Sequence, residues 1–373
     1  MSPPRLFIWV QHLLGTGHLR RALLLGEALG ARSARVLLAS GGPPAEFPVP
    51  ARVALVELPP IAARDAAFSG LVTPAGDPVD TRYWAFRRER LLSAFRAFDP
   101  DVLVLEHWPF GRSAFTAEVS VLLDAARSRG ARVVASVRDL LVSKADPGKF
   151  RRMLEHAARL DRILVHGDPA LLPFAPSFPL AHELGDRLVH TGYLAPPAPA
   201  AAERGREILV SAGGGAVGER LCRVALEAAR TTTDRPWRIV TGGGLRVAAF
   251  ASLLERAPAH VLVERHRPDL AALVARAAVS VSQAGYNTVV EALAGGTPMV
   301  LVPFAEGRED EQTRRALALV ARGRARLVPE TELSAARLAR AVEAALVERP
   351  AAPLAIRLDG AARSAELLLE LAR

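Results

Sequence analysis

Gly15, Gly17 and His18 stand in LLGTGHLRRALLLGEAL, where a short apolar run gives way to an amphipathic one. That pattern places them at a strand-to-helix turn, where glycines let backbone approach a ligand and free helix amides favour an anion. Thr16 and Arg21 belong to the same turn and share its phosphate or acceptor side. Three roles are open to His18: general base, phosphate contact, or simple helix cap. The dinucleotide fingerprint needs a third glycine and an acid after the second strand, and RVLLASGGPP offers no acid. A nicotinamide site is therefore not expected.

Two further turns carry polar residues. In ILVSAGGGAVGERL, Gly213, Gly214 and Gly215 follow a buried run and precede a helix. They form a good cradle for a diphosphate, though a tight structural turn is the competing reading, and the G-K-[ST] ending of a P-loop is absent. In SQAGYNTVVEALAGGTPMVLVPFAEGREDEQTRRA, the residues Ser282, Gln283, Gly285, Asn287 and Thr288 crowd another helix start. Glu291 lies about one turn further on, where a carboxylate can accept both hydroxyls of a ribose whose phosphates sit on the amides. After the next strand come Glu309, Asp310, Glu311 and Gln312, suited to sugar hydroxyls; acids at a helix start also match its dipole. Glu106 and Asp139 end or follow two other buried runs and are reserve bases. No paired carboxylates suggest a Mg²⁺ site, so no metal is expected.

The elements that must hold these turns alternate. RLFIWV, RVLLAS, RVALVEL, DVLVLEH, RVVASV and RILVHG read as buried strands separated by amphipathic helices. Such alternation means βαβ units and parallel sheets, and ligands of such sheets collect at the carboxyl ends of strands. The stretch from Pro59 to Asp80 is long, rich in Pro, Gly and Ala, and shows no clear element. At LAPPAPAAAERGRE the alternation breaks and then restarts. The expected organisation is a Rossmann-like domain over 1–193, a linker over 194–206, and a second Rossmann-like domain over 207–373, with a cleft between the two. The last helix has the option of packing back on the first domain.

Composition narrows the classes. A chain of 373 residues, 50% hydrophobic, can bury two cores. No apolar run approaches the roughly 20 residues of a membrane-spanning helix, and the N-terminal apolar stretch reads as a first strand rather than a signal peptide. Cys222 is the single cysteine, which points to a reducing, cytoplasmic setting. The formal charge is +9, almost all of it arginine, and Lys144 and Lys149 are the only lysines. That charge suits nucleotide phosphates or peripheral contact with the inner, anionic face of a membrane. Arginines scattered over solvated helix faces are the plainer account. They are dispersed, with no nucleic-acid motif, so no nucleic-acid partner is expected.

With GYNTVVEAL, PF…REDEQTRRA, GTGHLRRAL, WPFGR and VRDLL on the page, the chain resembles the nucleotide-sugar glycosyltransferases of GT-B fold, specifically family 28 and its predicted bacterial members. The resemblance spans both halves. It implies two parallel-sheet domains facing across a cleft, a UDP-sugar as co-substrate with no other cofactor, and inversion by single displacement. Carried over by position, it implies that Glu291 meets the ribose and that Gly214, Gly215 and Gly285 approach the diphosphate. It also implies that Gln312 and Glu311 hold the donor sugar, and that the turn Arg265–Asp269, with His266, meets the base. His18 becomes the first choice of base, facing an acceptor that is either lipid-linked or a small molecule. Many relatives carry His or Arg where this chain has Gln283. The Gly15–Gly17–His18–Arg21 pattern also resembles UDP-sugar hydrolases, in which the histidine activates water. A nucleotide-sugar 2-epimerase and a non-catalytic binding subunit are further alternatives.

Overall fold

The computed structural model describes residues 2–44, 48–65, 68–141, 146–197, 204–213, 218–304, 310–347 and 355–373. Two compact units emerge: residues 1–194 with 357–373, and residues 195–356.

In unit 1 the order is β1 (Arg5–Val10), α1 (Gly17–Gly30), β2 (Arg35–Ser40), β3 (Val53–Glu57), β4 (Ala62–Ala63), β5 (Leu71–Val72), α2 (Thr81–Phe98), β6 (Val102–Glu106), α3 (Thr116–Ser128), β7 (Arg132–Arg138), α4 (Pro147–Ala157), β8 (Arg162–His166) and β9 (Leu188–His190). Seven strands pair in parallel in the order β3-β2-β1-β6-β7-β8-β9. Burial follows position: every residue of the central β6 is buried, whereas the edge strand β3 keeps only Val53 fully covered. Strands covered on both faces must be apolar throughout, which is why they were legible as runs.

The chain steps outward from β1 to β2 and β3, then returns to lay β6 against the other side of β1. The carboxyl ends of β1 and β6 are therefore the switch point of this sheet, where open α/β sheets form their ligand crevice. Asp80 caps α2 by accepting from the Tyr83 amide at 2.7 Å, and α2 closes in the left-handed Asp99. The Pro59–Asp80 stretch is not structureless: β4 and β5 form an antiparallel ribbon, with Ala62 opposite Val72 and Ala63 opposite Leu71. Strands of two residues are too short to carry any hydrophobic period.

In unit 2 the order is β10 (Ile208–Ser211), α5 (Glu219–Ala229), β11 (Trp237–Val240), α6 (Val247–Arg256), β12 (Val261–Glu264), α7 (Leu270–Arg276), β13 (Val279–Ser282), α8 (Tyr286–Ala294), β14 (Met299–Leu301), α9 (Glu311–Val320), β15 (Ala325–Leu327) and α10 (Ala335–Val347). Its six parallel strands run β12-β11-β10-β13-β14-β15, so the switch point lies between β10 and β13.

The final helix, α11 (Gly360–Leu371), belongs to unit 1. Ala365 and Leu368 share a buried cluster with Leu19, Ala22 and Leu23 of α1. The stretch 207–373 thus divides at 356/357, and its last segment completes the first unit. Among the described residues no helix is long and apolar enough to cross a membrane.

Candidate active site

At the switch point of unit 1, His18 follows β1 in the first turn of α1 and Glu106 ends β6. His18 Nδ1 lies 3.0 Å from Glu106 Oε1, and Arg21 Nη2 lies 2.6 Å from the same oxygen. Arg21 is also 2.8 Å from His18 Nδ1. Glu106 can only accept and Arg21 can only donate, so Nδ1 bonds the first as Nδ1–H and the second through its lone pair; with Arg21 already donating to Glu106 Oε1, the Nδ1–H tautomer is the one that keeps the carboxylate contact. Nε2 is then the basic nitrogen.

Glu106 is only 1% exposed, and its other oxygen accepts from Ser136 Oγ at 2.5 Å. His18, Arg21 and Ser136 converge on its two oxygens, so it holds the His18 ring through Nδ1. Ser136 in turn lies 2.8 Å from His166 Nε2, and His166 Nδ1 lies 3.0 Å from Thr191 Oγ1. Asp139, the other reserve base, is fully buried and accepts from the Leu140 amide at 2.9 Å.

Sequence reasoning passed over His107. Its ring lies 4.9 Å from that of His18, tilted by 46°. Its backbone sits at φ 68°, a left-handed conformation uncommon for a residue with a side chain and one that clusters at functional sites. Gly111 makes the turn possible, because a Cβ there would come within 2.4 Å of the His107 ring. Arg112, also left-handed at φ 61°, donates from Nε to Gln11 O at 2.7 Å. The signal was present in HWPFGR, where a glycine follows four residues behind the histidine.

Burial, followed by the charges of Arg112 and Arg21, holds the His18 pKa well below histidine's ordinary 6.5. Burial and then Arg138 and Arg112 do the same to His107. Burial and the neighbouring Arg138 push Arg112 down to about 10, against the pull of Glu106. Both imidazoles are therefore neutral at pH 7. Gly15, Thr16 and Gly17 are half-buried beside them, and a Cβ on Gly15 would meet nothing within 4 Å. Thr16 makes no side-chain cap on α1.

At the switch point of unit 2, two of the expected turns come together. Ser211 and Ser282 pair in register across β10 and β13. Gly213 follows at φ 73°, where glycine carries no steric cost, and a Cβ on it would stand 3.6 Å from Gln283 Oε1. Gly214, Gly215 and Glu309 lie outside the described residues. Gly285 precedes α8 with no side-chain cap and open space around its Cα, so the first amides of α8 face a region where a ligand anion fits. Asn287 and Thr288 are half-buried in that first turn; Glu291 is 3% exposed in the second.

Arg315 supports this turn, a role the sequence reading did not assign. Fully buried on α9, it donates from Nη1 to Ala284 O at 2.7 Å. Gln312 Oε1 accepts from the Phe304 amide at 3.0 Å, and Glu311 is 8% exposed beside it. His266 is exposed in the turn after β12, where Arg267 bridges Glu264 and Asp269. Among the described residues no group of three or more His, Cys, Asp and Glu side chains is placed to hold a metal ion.

Residues 210–365 match the glycosyltransferase family 28 C-terminal domain. The UDP-N-acetylglucosamine–N-acetylmuramyl-(pentapeptide) pyrophosphoryl-undecaprenol N-acetylglucosamine transferase of Xanthomonas campestris pv. campestris (strain 8004) is 32% identical over 237 residues, 60% of this chain and 53% of that relative. The enzyme of the same name from an Exiguobacterium species is 30% identical over 168 residues, 44% of this chain and 46% of that relative. The chain thus aligns with about half the length of these curated relatives. Among solved structures, the glycotransferase of kitacinnamycin superposes with a TM-score of 0.61 at 20% identity, covering 100% of both chains. Acinetobacter baumannii MurG gives a TM-score of 0.56 at 15% identity, covering 99% of this chain and 100% of that one. The fold is that of the GT-B glycosyltransferases.

Proposed function

We propose, from the premise that residues 210–365 are a glycosyltransferase family 28 C-terminal domain in a chain of GT-B fold, that the protein is an inverting glycosyltransferase using a UDP-sugar. Unit 2 supplies the donor's binding groups and unit 1 the base. The observation that carries this reading is the neutral His18, held through Nδ1 by Glu106 at the switch point of unit 1. The curated relatives named above use UDP-N-acetylglucosamine, which supports UDP as the nucleotide.

In this reading the acceptor hydroxyl gives its proton to His18 Nε2 as its oxygen forms a bond to the anomeric carbon. The bond from that carbon to the diphosphate breaks on the opposite face, so configuration inverts. Glu106 stabilises the imidazolium that forms, and it must do so against Arg21 and Arg112. The departing UDP is met by the α8 amides after Gly285, which balance developing negative charge without reorganisation, and the sequence offers Gly213, Gly214 and Gly215 to the same end. Glu291 accepts from the ribose hydroxyls. Glu311 and Gln312 hold the sugar, Ser282, Gln283, Asn287 and Thr288 line the phosphates, and the turn carrying His266 meets the base.

The test is UDP release and product mass spectrometry with a panel of UDP-sugars and cell extract, run in EDTA. The wild type should turn over. His18→Ala should be slower by roughly 10²–10⁴-fold while UDP affinity, read by calorimetry, stays the same. Loss of UDP affinity in His18→Ala would remove it from the role of base, and activity abolished by EDTA and restored by Mg²⁺ would mean the diphosphate is handled by a metal.

A further inference from the structure

The polar contacts of His18 meet its ring at one corner. Nδ1 lies 3.0 Å from Glu106 Oε1 and 2.8 Å from Arg21 Nη2. One corner does not fix a plane, because the ring can still swing about that atom unless something stands against it. The group that stands there is His107, whose ring centroid is 4.9 Å from that of His18 at an interplanar angle of 46°. We propose that His107 is a positioning residue for the base: its ring, set by a left-handed backbone, fixes the plane of the His18 ring and so gives Nε2 a single direction. The proposal rests on His18 as the base, the role it has in the transferase reading.

Three observations carry it. The first is backbone. His107 sits at φ 68°, a conformation that glycine or asparagine takes at less cost. Its backbone hydrogen bonds ask for no particular side chain: N donates to Ser136 O at 2.7 Å, and O accepts from Gly111 N at 2.7 Å. A turn that needed only a left-handed residue would not need an imidazole. Among side chains that carry a ring, histidine is the one enriched in this conformation, so it is the aromatic that suits the position.

The second is the ring nitrogen. Nδ1 of His107 is buried and has no hydrogen-bond partner among the described residues. A ring kept for a structural hydrogen bond would spend that atom on one. What the ring offers His18 is a flat, rigid surface.

The third is how that surface is held. A Cβ on Gly111 would stand 2.4 Å from Cδ2 and 2.7 Å from Nε2 of His107, so the glycine clears the place the ring occupies. Arg112 follows, also left-handed, and donates from Nε to Gln11 O at 2.7 Å. Gln11 comes directly after β1, in the segment that leads to His18. The turn from His107 to Arg112 is thus tied to the chain that carries the base, as a ring that must orient another requires.

The test is NMR of the histidine ring nitrogens in the full chain, with His18 assigned by its absence from His18→Ala. His107→Asn keeps a residue that accepts the left-handed backbone and removes the ring. His107→Phe keeps a ring and removes both nitrogens. Wild type and His107→Phe should show His18 as one Nδ1–H tautomer, and His107→Asn a mixture of the two. UDP release in EDTA should follow the tautomer. Turnover should be about tenfold lower in His107→Asn at unchanged KM for the UDP-sugar, and within about twofold of wild type in His107→Phe. Melting temperature should hold in His107→Asn.

A single Nδ1–H tautomer in His107→Asn overturns the proposal, and it decides alone where His107→Phe does not fold. Equal loss of turnover in both folded variants also overturns it, because the nitrogens of His107 would then be meeting the substrate. Turnover in His107→Asn that falls only as folded protein is lost makes the role structural and sinks it as well. A wild type that turns over no UDP-sugar falls on the transferase reading instead, and the tautomer measurement still stands.

Discussion

Ser136 and Glu106 are register partners on adjacent strands, and the serine hydroxyl lies 2.5 Å from Glu106 Oε2. Because the carboxylate can only accept, Ser136 must donate, and His166 Nε2–H must then donate to Ser136. That leaves His166 Nδ1 to accept from Thr191. Every proton in the row from Thr191 to Glu106 is thereby directed toward the carboxylate, whose other oxygen faces His18 Nδ1. Glu106 is thus held by a chain of hydrogen bonds that begins three strands away, beside β9.

Orientation and charge can be separated by two variants. Ser136→Ala should lower turnover by about tenfold, near 1.4 kcal/mol, without moving the acid limb of the pH profile, and Ser136→Thr should restore it. Arg112→Gln should do the reverse. Removing a cation that disfavours the imidazolium raises the His18 pKa, so the acid limb moves to higher pH while turnover at pH 8 holds. An acid limb that stays in place in Arg112→Gln would deny His18 the role of base.

Glu291 offers a test confined to unit 2. Losing a charged hydrogen bond to the ribose should cost about 1.5–3 kcal/mol of UDP affinity in Glu291→Ala, with folding nearly intact by circular dichroism. Calorimetry that finds UDP binding unchanged removes Glu291 from the site.

Acid should unfold unit 1 through its histidines. Burial holds His166 neutral, its pKa lowered from 6.5 to about 3. In the unfolded chain the same group takes a proton below about 6.5. Between those values the unfolded state binds more protons, so stability is full above 6.5 and falls as pH drops toward 3. At pH 5 this linkage amounts to about 2 kcal/mol for His166 alone. Denaturant melts at pH 7.5 and pH 5 should show the loss, and His166→Gln should lose less by about that amount. An unaltered pH dependence in the variant would place the acid sensitivity elsewhere.

The sequence carried the strands of both sheets because strands buried on both faces are apolar throughout, as in DVLVLEH and RVVASV. It missed β9 and β15, three-residue edge strands whose residues are all half-buried and so show neither run nor alternation. His18 and Glu106 were each legible as candidates, but not as partners. They are 88 residues apart and meet only because β6 returns to the side of β1. His107 stayed hidden because a left-handed backbone at a histidine is set by the surrounding turn and not by its own residue type. In unit 2 the GYNT turn and Glu291 stood out from local pattern, while the support Arg315 gives that turn arises only when α9 packs beneath it.

The return of the last helix to unit 1 has a genetic meaning. Tyr193 donates to Arg357 O at 2.8 Å, Gly360 donates to Tyr193 O at 3.0 Å, and Leu194 bridges Asp359. The chain thus leaves unit 1 and re-enters it through one clasp, and residues 195–356 form an insert within unit 1. A gene with that layout can exchange its insert in a single crossover pair without cutting the host's core, whereas any early stop beyond residue 356 deletes a helix of the host. Unit 2 can therefore be recombined as a cassette, while the segments of unit 1 on either side of it are inherited together.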